Sequence, residues 1–198
     1  MHTETDDALQ VVSAALMATF SHLADDAAHA PTYASQLRLA QLACAAVRPL
    51  STLQADHEPR SVGGQARRVF ADFRARTVPQ DWPERLAKTY VALAVARDVL
   101  REVAAPLAER YPDLAEQSEA AWASADLAED LAALIDGDPR LTARLSLWTR
   151  RVMGESLAVA RTIATLAPAL MPSEGIAAGL ARITRAHSAR MSALGLTP

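Results

Sequence analysis

The sequence is poor in the residues that most often announce a function. It has one cysteine, Cys44, so an internal disulfide, a thiolate metal cage and a two-cysteine redox motif are all excluded. Aromatic residues make up 5% of the chain, too few for the stacking platforms that bind single-stranded nucleic acid. Lysine occurs once, as Lys88, and the other basic residues are arginines. Together with the abundance of alanine, that skew reflects a GC-rich coding sequence. Between His57 and His187 there is no histidine. No stretch reaches about 18 uncharged apolar residues, so no membrane span is expected. The run Thr162–Met171 is too short and contains Pro168. The opening segment Met1–Asp7 has acids and no basic run ahead of an apolar stretch, unlike a secretory signal, and a cytoplasmic location is the expectation. Serine-hydrolase, phosphate-loop and dinucleotide signatures are missing, and Gly63-Gly64 alone does not make a phosphate cradle.

What is present is helical. Of 198 residues, 51% are hydrophobic and 22% charged, with a net charge of -3, values ordinary for one soluble domain spanning 1–198. A chain of this length buries a core without staples. Leu9, Val12, Leu16, Phe20 and Leu23 recur at helical spacing over about Asp6–Ala30, and Thr3 and Asp6 are spaced as a capping box. Pro31 ends that helix. A second spans roughly Thr32–Gln54, with Leu39, Leu42, Ala46, Leu50 and Leu53 on one side and a kink or break near Arg48 imposed by Pro49.

From His57 to Pro79 the pattern is irregular, with one short helical turn around Phe70 and Phe73. Asp81, ahead of Trp82 and Pro83, is placed to cap a third long helix reaching Tyr111. A fourth runs from Pro112 to Gly137, and a fifth from Asp138-Pro139 to Leu166. A last one runs from Ser173 to Leu194, striped by Ile176, Leu180, Ile183, His187, Met191 and Leu194. Long helices with short connections predict an all-α, up-and-down four-helix bundle with additional C-terminal helices. Residues 138–198 carry +5 and the remainder -8. Attraction between the two halves of one bundle accounts for that asymmetry better than a nucleic-acid surface.

Several segments together carry a family likeness: Phe20-Ser-His-Leu-Ala-Asp-Asp-Ala27 with Ala30-Pro-Thr32, and Val78-Pro-Gln-Asp-Trp82 leading to Lys88-Thr-Tyr-Val91. To these add Arg101-Glu-Val-Ala104, Asp138-Pro-Arg140 with Leu147-Trp148 and Gly154-Glu155, and Ala186-His-Ser-Ala-Arg-Met-Ser-Ala-Leu-Gly195. This set resembles the actinobacterial ferritin-like proteins, relatives of the bacterial tRNA hydroxylase that modifies a methylthio-isopentenyl adenosine. The resemblance implies a ferritin-like bundle. Enzymes of that fold hold two irons with carboxylates and Glu-x-x-His pairs, whose i, i+3 spacing puts both ligands on one inward face. The positions matching the first such pair are Ala46 and Pro49, and no Glu-x-x-His occurs anywhere.

Among groups that could still carry chemistry, His22, Asp26 and His29 share a helix face. They lie opposite the Leu9–Leu16–Leu23 stripe and are expected to face water. Asp98 and Glu102 are spaced as paired acids, but Arg97 and Arg101 share their arc, which predicts an exposed ion-pair surface. Glu155 borders an apolar face and is expected either to line a pocket or to pair with Arg151. His187 reads as a neutral core histidine, with a ligand role as the alternative. Cys44 reads as a small buried residue.

The leading expectation is a ferritin-like protein that has lost its di-iron ligands and acts by binding, as a homodimer or beside an intact paralogue, with no cofactor. One alternative is a di-iron or other metal-dependent hydroxylase with unusual ligands drawn from Asp98, Glu102, Glu155 and His187. The other is a small-molecule binder whose vacated cavity is lined by Ala46, Leu50 and aromatic neighbours. Neither a membrane nor a nucleic acid is an expected partner.

Overall fold

The computed structural model describes residues 2–50, 61–103, 125–170 and 175–198. The described residues form seven α-helices and no strand. They are α1 (His2–Ala28), α2 (Tyr33–Val47), α3 (Ser61–Arg76), α4 (Trp82–Val103), α5 (Ala125–Ile135), α6 (Pro139–Leu166) and α7 (Ile176–Ala193), with one 3-10 turn at Pro168–Leu170. No described helix is long and apolar enough to cross a membrane.

The caps follow the sequence closely. Thr32 accepts the Ser35 amide at 3.1 Å to start α2, and Asp138 accepts the Leu141 amide at 2.9 Å to start α6. Asp81 accepts the Glu84 amide at 3.0 Å, while Glu84 reaches back to the Gln80 amide at 2.9 Å, so the start of α4 is capped from both sides. Helix α2 ends at Val47, two residues before Pro49, which has no amide proton to offer the preceding turn. Gly137, at φ +72, closes α5 in the left-handed conformation that costs glycine least. The expected helical segments over 104–124 lie outside the described residues.

One segment differs from expectation. Residues 61–76, read as irregular with a single turn, form a full helix. The glycine pair does not break it because it lies in the first turn, where Gly63 comes close to α1. Its amide donates to Gln10 Oε1 at 3.2 Å, and a Cβ there would lie 2.8 Å from the same oxygen.

Packing places α1 against α2 on one side and against α3 on another, while α6 packs on α4 and α3, and α7 lies on α4 and α6. Helix α3 runs parallel to α1, since Gly63 meets Gln10 and Arg74 lies beside His22. Helix α4 runs antiparallel to α1, with Arg85 at Asp26 and Leu100 facing Val11. Helix α6 runs parallel to α4, with Arg144 at Glu84 and Ile163 near Leu100. The central ring is therefore α1, α3, α4 and α6, and α2 packs outside it against α1. Leu9, Leu16, Leu23, Leu39, Leu86, Leu131, Leu145 and Val152 anchor a continuous buried core.

Arginines of the basic C-terminal third pair with acids of the first two thirds. Arg144 bonds Asp81 and Glu84, and Arg190 bonds Asp98. Charge asymmetry is thus partly spent inside the bundle.

Candidate functional site

A cavity of about 170 Å³ occupies the middle of the ring. Val12, Ala15, Ala18 and Thr19 of α1 form one wall, Phe70 and Phe73 of α3 another, Ala92, Val95, Ala96 and Val99 of α4 the third, and Ser156, Val159, Ala160 and Ile163 of α6 the fourth. Alanines recur where four helices face one another, and their small side chains leave the space. The two hydroxyls in the wall are satisfied by their own helices: Thr19 donates to the Ala15 carbonyl at 2.9 Å and Ser156 to the Val152 carbonyl at 2.8 Å. What remains is an apolar hollow. An engineered cavity of about 150 Å³ with apolar walls stays dry and takes benzene, which sets the scale of guest this one fits.

One end of the cavity is polar. His22 is nearly buried and Asp26 is 1% exposed, both on α1 and facing α4. Thr89 donates its hydroxyl to Asp26 Oδ2, and His22 Nε2 lies 2.9 Å from the same hydroxyl oxygen. Because that proton goes to the carboxylate, the oxygen is left as acceptor and His22 carries its proton on Nε2. Burial lowers the His22 pKa to about 4 against the pull of Asp26, so the ring is neutral. Arg85 Nη1 bridges Asp26 Oδ1 at 2.7 Å and Asp25 Oδ2 at 2.6 Å. Burial alone would raise the Asp25 carboxyl, and the Arg85 hydrogen bond together with the nearby positive charges outweighs it and leaves the group lowered.

Beside this network a second hollow, a cleft of about 370 Å³, opens to the surface between α1, α3 and α4. His22, Asp25, Arg74, Arg85 and Lys88 line it, together with Val78 and Pro79. His22 and Arg74 border both the cleft and the apolar cavity and so form the partition between them. Lys88 is 4% exposed, and its ammonium lies 5.7 Å from the centre of the Phe73 ring. Burial lowers its pKa to about 8, with Arg74 and Arg85 adding to the effect and Asp26 and Asp25 opposing it.

The described residues around the cavity do not fit a di-iron centre. Such a centre needs several carboxylates and imidazoles converging on one point. The cavity wall offers one imidazole, His22, whose Nε2 is engaged by Thr89, and among the described residues no three His, Cys, Asp or Glu side chains cluster as a metal cage.

The residues singled out from the sequence are dispersed. Ala46 and Leu50 are buried, but in the α1–α2 layer, and neither lines the central cavity, whose aromatic wall comes from α3 instead. The Ala46 and Pro49 positions therefore do not project into the ring. Asp98 is not on an exposed ion-pair surface: its side chain is 11% exposed and bonds Arg190 of α7 at 2.5 Å. The side chain of Glu102 lies outside the described residues. Glu155 pairs with Arg76 at 3.4 Å rather than with Arg151, which donates to the Arg76 carbonyl at 2.7 Å and lies over the Trp148 ring.

His187 is buried with Nε2 lacking a hydrogen-bond partner, and burial followed by the nearby Arg190 lowers its pKa to about 4. It is neutral but not fully bonded. His22 and Asp26 do not face water as their position opposite the leucine stripe predicts, whereas His29 does. The reason is that α1 is covered on two sides, by α2 and by the α3–α4 pair. Cys44 is exposed, because Ala43 and Ala46 take the inward positions of α2.

A signal for the site did exist. Val12, Ala15, Thr19, His22 and Asp26 form a second stripe on α1, and Lys88, Thr89, Ala92, Val95, Ala96 and Val99 form one on α4. The α1 stripe ends polar and the α4 stripe begins polar, so in antiparallel helices the two polar ends meet.

Similarity to known proteins agrees with this architecture. A family model described as a ferritin-like domain of actinomycetes matches residues 3–172. No curated protein matches the chain.

Proposed function

The chain belongs to the ferritin-like domain family of actinomycetes, and from that premise we propose that it is a binding protein whose bundle centre takes a small apolar molecule in place of a metal cluster. One observation carries the reading: where the four central helices face one another, this chain places alanines, valines and phenylalanines around a hollow of about 170 Å³. Apolar burial is the interaction such a wall offers, at about 25 cal/mol per Å² of guest surface removed from water. A single aromatic ring or a short branched alkyl group matches the volume. The iron-dependent hydroxylase reading lacks this support, since Glu155 and Asp98 are engaged by arginines.

The test is ligand-observed NMR with toluene and indole, alongside thermal melts. Saturable binding and a melting temperature that rises with ligand concentration are expected. Both effects vanish in Ala96→Phe and Ala160→Leu, which fill the hollow and still melt cooperatively. Equal binding by the filled variants, or none by the unmodified protein at millimolar ligand, overturns the reading.

A further inference from the structure

We propose that Lys88 is an imine-forming amine and that the cleft beside it accepts a small oxo acid, an aldehyde or ketone bearing a carboxylate. The inference does not depend on what fills the apolar cavity.

Three observations converge. First, Lys88 reaches the cleft without a carboxylate partner among the described residues. The acid that would neutralise it, Asp26, is consumed: Arg85 holds Oδ1 and Thr89 holds Oδ2. Second, the amine is crowded by positive charge. It faces Arg74 on α3 and Arg85 one turn back on α4, with Asp25, Asp26 and the neutral His22 on α1 as the remaining titratable groups around it. Desolvation next to other cations is how a protein keeps an amine unprotonated and nucleophilic near neutrality. Third, Arg74 lines the same cleft with no ion pair among the described residues, which leaves its planar fork of donors open to a carboxylate.

The chemistry balances without an oxidant or reductant. The neutral amine attacks the carbonyl carbon and forms a C–N bond, giving a carbinolamine after one proton moves from nitrogen to oxygen. Loss of the second nitrogen proton with that oxygen breaks the C–O bond, releases water and leaves the C=N double bond. Arg74 holds the substrate carboxylate throughout, and the Phe73 face keeps one side of the amine dry.

Having a single lysine makes the test clean, because the only other amine is the chain's N-terminal one. The full chain is incubated with glyoxylate under borohydride reduction, and the adduct is located by peptide mass spectrometry. The expected result is labelling of Lys88 ahead of the N-terminal amine, half-maximal near pH 8, with glyoxylate preferred over neutral acetaldehyde. At about pH 10, where the Lys88 amine is largely neutral with or without the Arg74 charge, Arg74→Gln should cut glyoxylate labelling by about tenfold and acetaldehyde labelling far less. Label on the N-terminal amine alone overturns the proposal. So does a midpoint near that of an ordinary lysine, above about pH 10, or glyoxylate labelling indifferent to Arg74→Gln. The decisive measurement is made on the unmodified protein, so it stands even if Arg74→Gln folds poorly.

Discussion

Thr89 on α4 donates its hydroxyl to Asp26 on α1, a carboxylate that is 1% exposed, and through that bond the polar ends of two otherwise apolar stripes are joined. The same hydroxyl oxygen accepts from His22. Thr89→Val keeps the shape and removes both interactions, leaving the buried Asp26 carboxylate short of one donor and His22 Nε2 with only Asp26 Oδ2, 3.3 Å away. A loss of about 2–3 kcal/mol is expected. Urea unfolding measures it, and a change below about 0.5 kcal/mol would show that Thr89 contributes packing alone.

Stability should also depend on mild acid. His22 and His187 have folded pKa values near 4 against 6.5 for the free side chain, so the unfolded chain takes up their protons first as pH falls. Stability is thus whole above about pH 6.5 and declines as pH drops toward 4. Each histidine contributes about 3 kcal/mol over that window. Melts across the range should show the decline, and His187→Gln should flatten it. Below pH 4 the Asp25 and Asp81 carboxyls, both held low in the fold, extend the loss.

Arg144 ties α6 to the start of α4, bonding Asp81 at 2.5 Å and the buried Glu84 at 3.0 Å, while Trp148 donates to the Glu84 carbonyl at 2.8 Å. Arg144→Ala strips Glu84 of its cation. Because Arg144 is itself 41% exposed, the cost is discounted to about 1–2 kcal/mol. The melting temperature should fall by roughly 3–6 °C. Trp148→Phe removes one hydrogen bond and should cost less.

Metal should matter little. Protein from iron-supplemented culture is expected to carry sub-stoichiometric iron, and its melting temperature should be the same with and without a strong chelator. Stoichiometric iron with a chelator-sensitive melt would restore the hydroxylase reading.

Much of the fold was legible because local chemistry and tertiary packing agree. Asp138-Pro139 announces α6, and the Ile183–His187–Met191 stripe of α7 is the buried one. Where they diverge, reading the sequence by one stripe per helix goes astray. Helix α1 has two buried faces, so the polarity of His22 and Asp26 signals an interior network and not solvent. Helix α3 reads as broken because Gly63 and Gly64 disfavour helix locally, yet close approach to Gln10 compensates. Asp98 shows the same limit: its partner Arg190 is 92 positions away, and no local pattern pairs them.

The parallel course of α4 and α6 has a kinetic consequence. Helices α1 to α4 alternate in direction and can assemble in chain order. Between Val103 and Pro139, however, the chain must return to the end where α4 began before α6 can dock. Contacts that close such a long loop form late in folding. The fourth wall of the hollow is in place only once that return is made, and until then the apolar side chains of the other three walls stand open to water.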